Sequence, residues 1–310
     1  MSNWRITLLA VAIIVLLAPD DVYAWGPATH IKLASDLFGQ LELLPAAFAI
    51  LLGRHRKDFL FGNIVADVVL AKRLSRIKQF CHHWETGFAI FDDADSDCGR
   101  AFGLGYLSHL AADTVAHNKF IPRQMTLTHS TMSFGHVYWE LRADSTIGPY
   151  YWDQLRAMFR EVFDEHEASL SVRLTDTFLP FSMNRRLFRQ MGRFVSRRFM
   201  RRAMDRWYNL SRWPLSDQLM REYRTQCLGR IIDELVNWRQ SPVLHEDPNG
   251  NAALGYTKLQ RRQLRQMARA ELAMPHILYE AAAGHAPVVN EAFPPRKKVR
   301  RSSAPVDLTT

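Results

Sequence analysis

A chain of 310 residues, 47% of them hydrophobic and with only 15 glycines and 14 prolines, can bury one large core or two modest ones, which excludes general disorder. Its formal net charge of +9 points to anionic partners such as phosphates, nucleic acid or anionic lipid, without choosing among them. Three cysteines, Cys81, Cys98 and Cys227, with no Cys-x-x-Cys spacing, exclude a disulfide scaffold; a single pairing of Cys81 with Cys98 across a short loop is the one bridge to expect. Any metal must then be held by histidines and carboxylates. The long segments lack strand-like alternation, so the expected fold class is all-α.

At the N-terminus, Arg5 precedes the apolar run "LLAVAIIVLLA" at residues 8–18. Its length of about 11 falls well short of the roughly 20 residues a membrane span needs. Val22 and Ala24 are small residues placed three and one before a cut, so residues 1–24 read as a signal peptide and the protein as exported. Cleavage there makes Trp25 the first residue of "WGPATH" and gives it a free α-amine, a group that can bind metal. Pro27 suits the first turn of a helix.

Next comes "DFLFGNIVADVV", an apolar segment with one embedded carboxylate, Asp67. "FCHHWETGF" follows, with His82 and His83 between Phe80 and Trp84. His82, His83, His109, His117, His129 and His136 all fall within residues 82–136, half of the chain's 12 histidines. In "GYLSHLAADTVAHNKF", His109, Asp113 and His117 stand at i, i+4 and i+8. At about 100° per residue they share one helix face. Their neighbours are apolar or small, so the helix is expected to be buried, and three buried polar groups cost several kcal/mol unless satisfied. A zinc-type cation, which takes imidazole and carboxylate ligands, satisfies them together. Gly103 and Gly105 weaken this helix by about 1 kcal/mol each, which suggests a backbone or ligand passing close by. In "SFGHVYWELRAD", Ser133 is a candidate N-cap, His136 and Glu140 share a face, and Asp144 continues that face as a competing ligand.

Taken in order, "WGPATH", "GNIVAD", a His before an aromatic, "GYLSHLAADTVAH" and "HVYWE" resemble the zinc-dependent phospholipase C family, often called the phospholipase C/D domain. The resemblance spans residues 25 to about 145 and implies a single-domain helical bundle around a multinuclear site of three zinc ions, here over residues 25–285. It implies that Trp25, through its amino and carbonyl groups, and His30 hold one zinc. Asp113 bridges that ion to a second one held by His109 and His82, with Asp67 as ligand or general base. His117, His136 and Glu140 hold the third. Between His82 and His83, the resemblance favours His82. The implied activity is hydrolysis of a phospholipid phosphodiester by a metal-bound water. Related single-strand nucleases and 3′-nucleotidases share the "WGxxxH" start but typically carry Asp where Glu140 stands. A non-catalytic lipid-binding protein with a structural zinc site is a third reading. Choline-preferring members have a tyrosine after the Asp67 position, whereas this chain has Val68, so a choline headgroup is not implied.

In the second half, residues 184–207 carry nine arginines on what reads as one basic amphipathic helix. Arg185, Arg186, Arg189, Arg193, Arg197, Arg198, Arg201 and Arg202 supply either a solvated face or peripheral contact with anionic membrane. No aromatic ladder interleaves them, so nucleic acid is not the expected partner. "EDPNGN" at 246–251 reads as a turn before a further helical segment. The Pro-rich, basic residues 286–310 read as a disordered tail.

Overall fold

The computed structural model describes residues 25–69, 80–128, 130, 134–174 and 179–269. The expected leader, the Ser133 cap, residues 270–285 and the basic tail lie outside the described residues. Within them the chain is helical, with no strand. The helices are α1 (Pro27–Leu37), α2 (Ala46–Arg54), α3 (Arg56–Val65), α4 (Trp84–Asp92), α5 (Asp97–Val115), α6 (Ile121–Thr128) and α7 (Phe134–Asp144). After these come α8 (Pro149–Met158), α9 (Asp164–Arg173), α10 (Phe181–Val195), α11 (Arg198–Asn209), α12 (Asp217–Asn237) and α13 (Asn251–Arg269).

Helix α5 is the axis of the fold. Ser96 starts it, its hydroxyl accepting the Gly99 amide at 2.9 Å. From Ala101 to Val115 every side chain is buried. A helix without a polar face must be covered all round, and α3, α4 and α12 pack along it, with α1, α2 and α9 closing the remaining gaps. The tightest approach is between α3 and α5. A methyl group on Gly62 would strike the backbone of Phe102, and one on Gly105 the backbone of Phe59. Gly103 meets the backbone of Phe91 in the same way. The glycines expected to mark a close neighbour therefore do so, and that neighbour is helix backbone. α5 does not run on as an α-helix: Ala116–Phe120 forms a π turn before α6 begins.

Two expectations are corrected here. The basic segment is not one helix, because α10 ends at Val195 and α11 begins at Arg198. Phe188 and Gly192 of α10 pack on Phe159. Arg185 and Arg189 pair with the buried Glu167 of α9, and the Arg193 Nε donates to the Phe159 carbonyl at 3.0 Å. Three of the nine arginines thus fasten α10 to the core, while Arg186, Arg197, Arg198, Arg202 and Arg206 are exposed. Nor are Cys81 and Cys98 joined. The Cys81 carbonyl accepts a hydrogen bond from Tyr106, which lies about 12 Å further along α5 than Cys98 at 1.5 Å per residue. A disulfide spans only about 4.4–6.8 Å between Cα atoms.

Gly105→Ala should destabilise the fold by about 1–3 kcal/mol, because the added methyl has only backbone to displace. Gly53→Ala, exposed on α2 with nothing within 4 Å, should stabilise it by about 0.5–1 kcal/mol. Urea denaturation of both variants checks the pair.

Candidate metal centre

His30 reaches the centre of the molecule on α1, whose first turn is held by Asp144. The Asp144 carboxylate accepts the amides of Ala28 at 3.1 Å and Thr29 at 2.8 Å, and the Thr29 hydroxyl at 2.7 Å. A side chain on Gly26 would occupy the place of this carboxylate. Burial pushes the Asp144 carboxyl up to about 6, although the Thr29 and Ala28 donors pull the other way. Asp144 therefore caps a helix and is not the competing ligand its spacing suggests. Just before α1, the Trp25 indole donates to the Ala112 carbonyl at 3.2 Å and stacks on Phe120 at 4.8 Å. Residue 25 is thereby fixed one position from Asp113 on the neighbouring helix.

Asp113 lies at the focus. One carboxylate oxygen is 3.2 Å from His30 Nε2; the other is 3.1 Å from His109 Nε2 and 3.3 Å from His82 Nε2. The His82 and His109 Nε2 atoms are themselves 3.3 Å apart, and His82 Nε2 is 3.3 Å from Asp67 Oδ1. The His30 and His109 rings stack at 3.9 Å. His82, not His83, enters the cluster; His83 is half-buried at the start of α4. His109 Nδ1 lies 2.8 Å from the Asn63 carbonyl, so it carries the proton there and turns the Nε2 lone pair toward the cluster.

Neither Asp113 oxygen and neither His30 nitrogen makes a well-aligned hydrogen bond, although all four atoms are buried. Lone pairs meeting at such distances repel unless a cation sits between them. Two ligand atoms each about 2.0–2.1 Å from a tetrahedral zinc stand about 3.3–3.4 Å apart, close to the separations seen here. Two triads, His30–His109–Asp113 and Asp67–His82–His109, have ligand atoms within 4.8 Å of one another. The donor set and its spacing fit zinc. Burial raises the Asp113 carboxyl, but His109, His30 and His82 together hold it well below the usual range; burial and then His109 lower His30.

The second half of the expected set assembles next door. His136 Nε2 is 3.3 Å from Glu140 Oε1, and the His117 and His136 rings lie 5.3 Å apart. All three side chains are buried. His117 sits in the π turn rather than on the regular helix its i+8 spacing implies. Such turns occur often at functional sites.

Sequence reasoning missed the backbone that orients these rings. The segment 246–250 lies over the cluster and ties down both ends of it. The Trp84 indole donates to the Glu246 carbonyl at 3.0 Å, Asn118 Nδ2 to the Asp247 carbonyl at 2.9 Å, and Asn249 Nδ2 to the His82 carbonyl at 3.0 Å. The His117 Nδ1 faces the Pro248 carbonyl. Gly250, at φ 60°, adopts a conformation that favours glycine while meeting His117. Asp247 shapes the turn by accepting the amides of Asn249 and Asn251 at 2.8 and 2.9 Å. The Asp-Pro-Asn-Gly composition signals a turn, but nothing in it signals two histidines as its targets.

An all-α protein with imidazoles and carboxylates gathered at its axis carries the donor set of proteins built around a metal centre. Residues 29–209 match the model of a family described as zinc dependent phospholipase C. The match covers more than half of the chain, which belongs to the zinc-dependent phospholipase C family and is in that broad sense a hydrolase of phospholipase C type. No curated protein and no solved structure matches it. The family match ends at 209, before α12, α13 and the segment that orients His82 and His117.

Asp144→Ala should lower stability by about 2–4 kcal/mol, since it leaves the buried donors of α1 without an acceptor. Zinc content at saturation should stay unchanged. Thermal unfolding and metal analysis on the same preparation check both statements.

Proposed function

We propose that this chain is an exported phosphodiesterase that hydrolyses phospholipid with three zinc ions. The observation that carries the reading is Asp113, a buried carboxylate facing His30, His82 and His109 at 3.1–3.3 Å with Asp67 alongside. In this reading Asp113 would share its two carboxylate oxygens between two ions, one held with His30 and the Trp25 amine and carbonyl, the other with His82 and His109, while Asp67 stands beside them as the base. His117, His136 and Glu140 would hold the third. When bound, zinc would supply an activated water near neutral pH and neutralise the phosphate oxygens.

The chain's own groups do the rest. Asp67, 3.3 Å from His82 Nε2, takes the proton as water adds to phosphorus and the alkoxide leaves. Asn63 and Pro248 hold the protons of His109 and His117 on the outer nitrogens and leave the inner ones as ligands. Exposed Arg186, Arg197, Arg198 and Arg202 offer charge for anionic headgroups at a membrane surface.

Asp113→Asn keeps the shape but removes the bridging charge, so it should lose both bound zinc and activity. Asp67→Ala should keep most of its zinc and lose about 100- to 10,000-fold in rate. Zinc per chain and turnover of a chromogenic phosphodiester are the measurements. A full zinc content with near-normal turnover in Asp113→Asn excludes the bridge. A panel of phospholipids and single-stranded nucleic acid separates lipase from nuclease. N-terminal sequencing of exported protein should read from Trp25; any other first residue removes its amine from the site.

A further inference from the structure

A second set of ligating side chains lies where α2 hands over to α3. His55 is the junction residue, Asp58 stands in the first turn of α3, and Cys98 in the first turn of α5. The Cys98 Sγ is 3.3 Å from His55 Nδ1, and Asp58 Oδ2 is 3.9 Å from that same nitrogen. The three donor atoms lie within 4.8 Å of one another. Cys98 stands 11 residues before His109 on one helix, about 16 Å away at 1.5 Å per residue. The two clusters are therefore separate.

The direction of the contacts decides what this group can do. A nucleophile relay needs its acid and its thiol on opposite nitrogens of the imidazole. Here thiol and carboxylate converge on one nitrogen, the arrangement of ligands around a shared point. The other Asp58 oxygen is taken by His166 Nε2 at 2.7 Å. His166 is itself buried, its ring stacked on Phe102 at 4.4 Å. A carboxylate held on one oxygen by a fixed histidine, with the other turned to the cluster, is oriented as an outer-shell partner orients a metal ligand. A sulfur and a nitrogen about 2.3 and 2.0–2.1 Å from a tetrahedral zinc stand about 3.5 Å apart, near the observed 3.3 Å. The three ligands are half-buried, so an ion can enter from solvent and keep an open fourth position for water.

Charge is compatible as well. Burial first, then Asp58 and Glu165, raise the Cys98 thiol, so its proton is released as a cation binds. A thiolate and the Asp58 carboxylate together neutralise a divalent ion.

We propose that His55, Asp58 and Cys98 bind one zinc-class divalent cation at a site separate from the catalytic cluster, with His166 as the positioning residue for Asp58. Cobalt is the first probe. The full chain loaded with Co2+ should show a thiolate-to-cobalt charge-transfer band in the near ultraviolet. The band should vanish in Cys98→Ser and His55→Ala and persist in Cys81→Ser, the control for the thiol beside His82. Wild type should bind one more zinc per chain than Cys98→Ser. On the unmutated protein, Zn2+ should slow alkylation of Cys98 by about tenfold or more, read by peptide mass spectrometry, a result that does not depend on any variant folding. A wild-type protein without the band, a band indifferent to Cys98→Ser, or alkylation of Cys98 indifferent to Zn2+ overturns the site.

Discussion

The backbone contact of α3 with α5 is the constraint on which the rest of the structure depends. With two glycines facing, the helices come close enough for the Asn63 carbonyl to reach His109 Nδ1 at 2.8 Å. That contact sets the tautomer of His109 and turns its other nitrogen toward Asp113. The same crossing carries the chain past Val65 and brings Asp67 to His82. A wider crossing would leave the carbonyl and the ring too far apart to meet, whatever the ligand residues themselves were.

Around this crossing, each remaining ligand is held by an element that has its own anchor. α1 is fixed by Asp144 and by the Trp25 indole, so His30 arrives in one orientation. His82 and His117 are fixed by the 246–250 segment. The cluster thus combines a rigid axis with separately tethered walls. Arranging four or more lone-pair donors at 3.1–3.3 Å costs free energy in the absence of a cation, and these tethers hold the donors in place against that cost.

Periodicity made the axis legible. His109, Asp113, His136 and Glu140 are visible because helical spacing repeats in sequence whatever surrounds it, and the ordered motifs add His30, Asp67 and His82. Where spacing alone is used, it overreaches. Asp144 continues the His136–Glu140 face by the same rule, but the slow drift of a helical stripe, about 40° per four residues, turns it to the start of α1. Cys81 and Cys98 are near in sequence, yet a rigid helix keeps them apart. The break at Ser196–Arg197 has no Gly or Pro to announce it. Pro248 and Asn63 act through main-chain carbonyls, which every residue carries, so no residue type could reveal them.

The 246–250 segment has a further consequence, in the order of assembly. It meets His82 and His117 across 167 and 131 residues of chain, and contacts so distant in sequence form late in folding because closing their loops is costly in entropy. A nascent chain that has emerged only to the end of α11 already carries every residue of the proposed zinc cluster, yet the Pro248 carbonyl that faces His117 Nδ1 has still to be made. Ligand identity is settled in the first half of synthesis; the orientation of His82 and His117 waits for the last quarter.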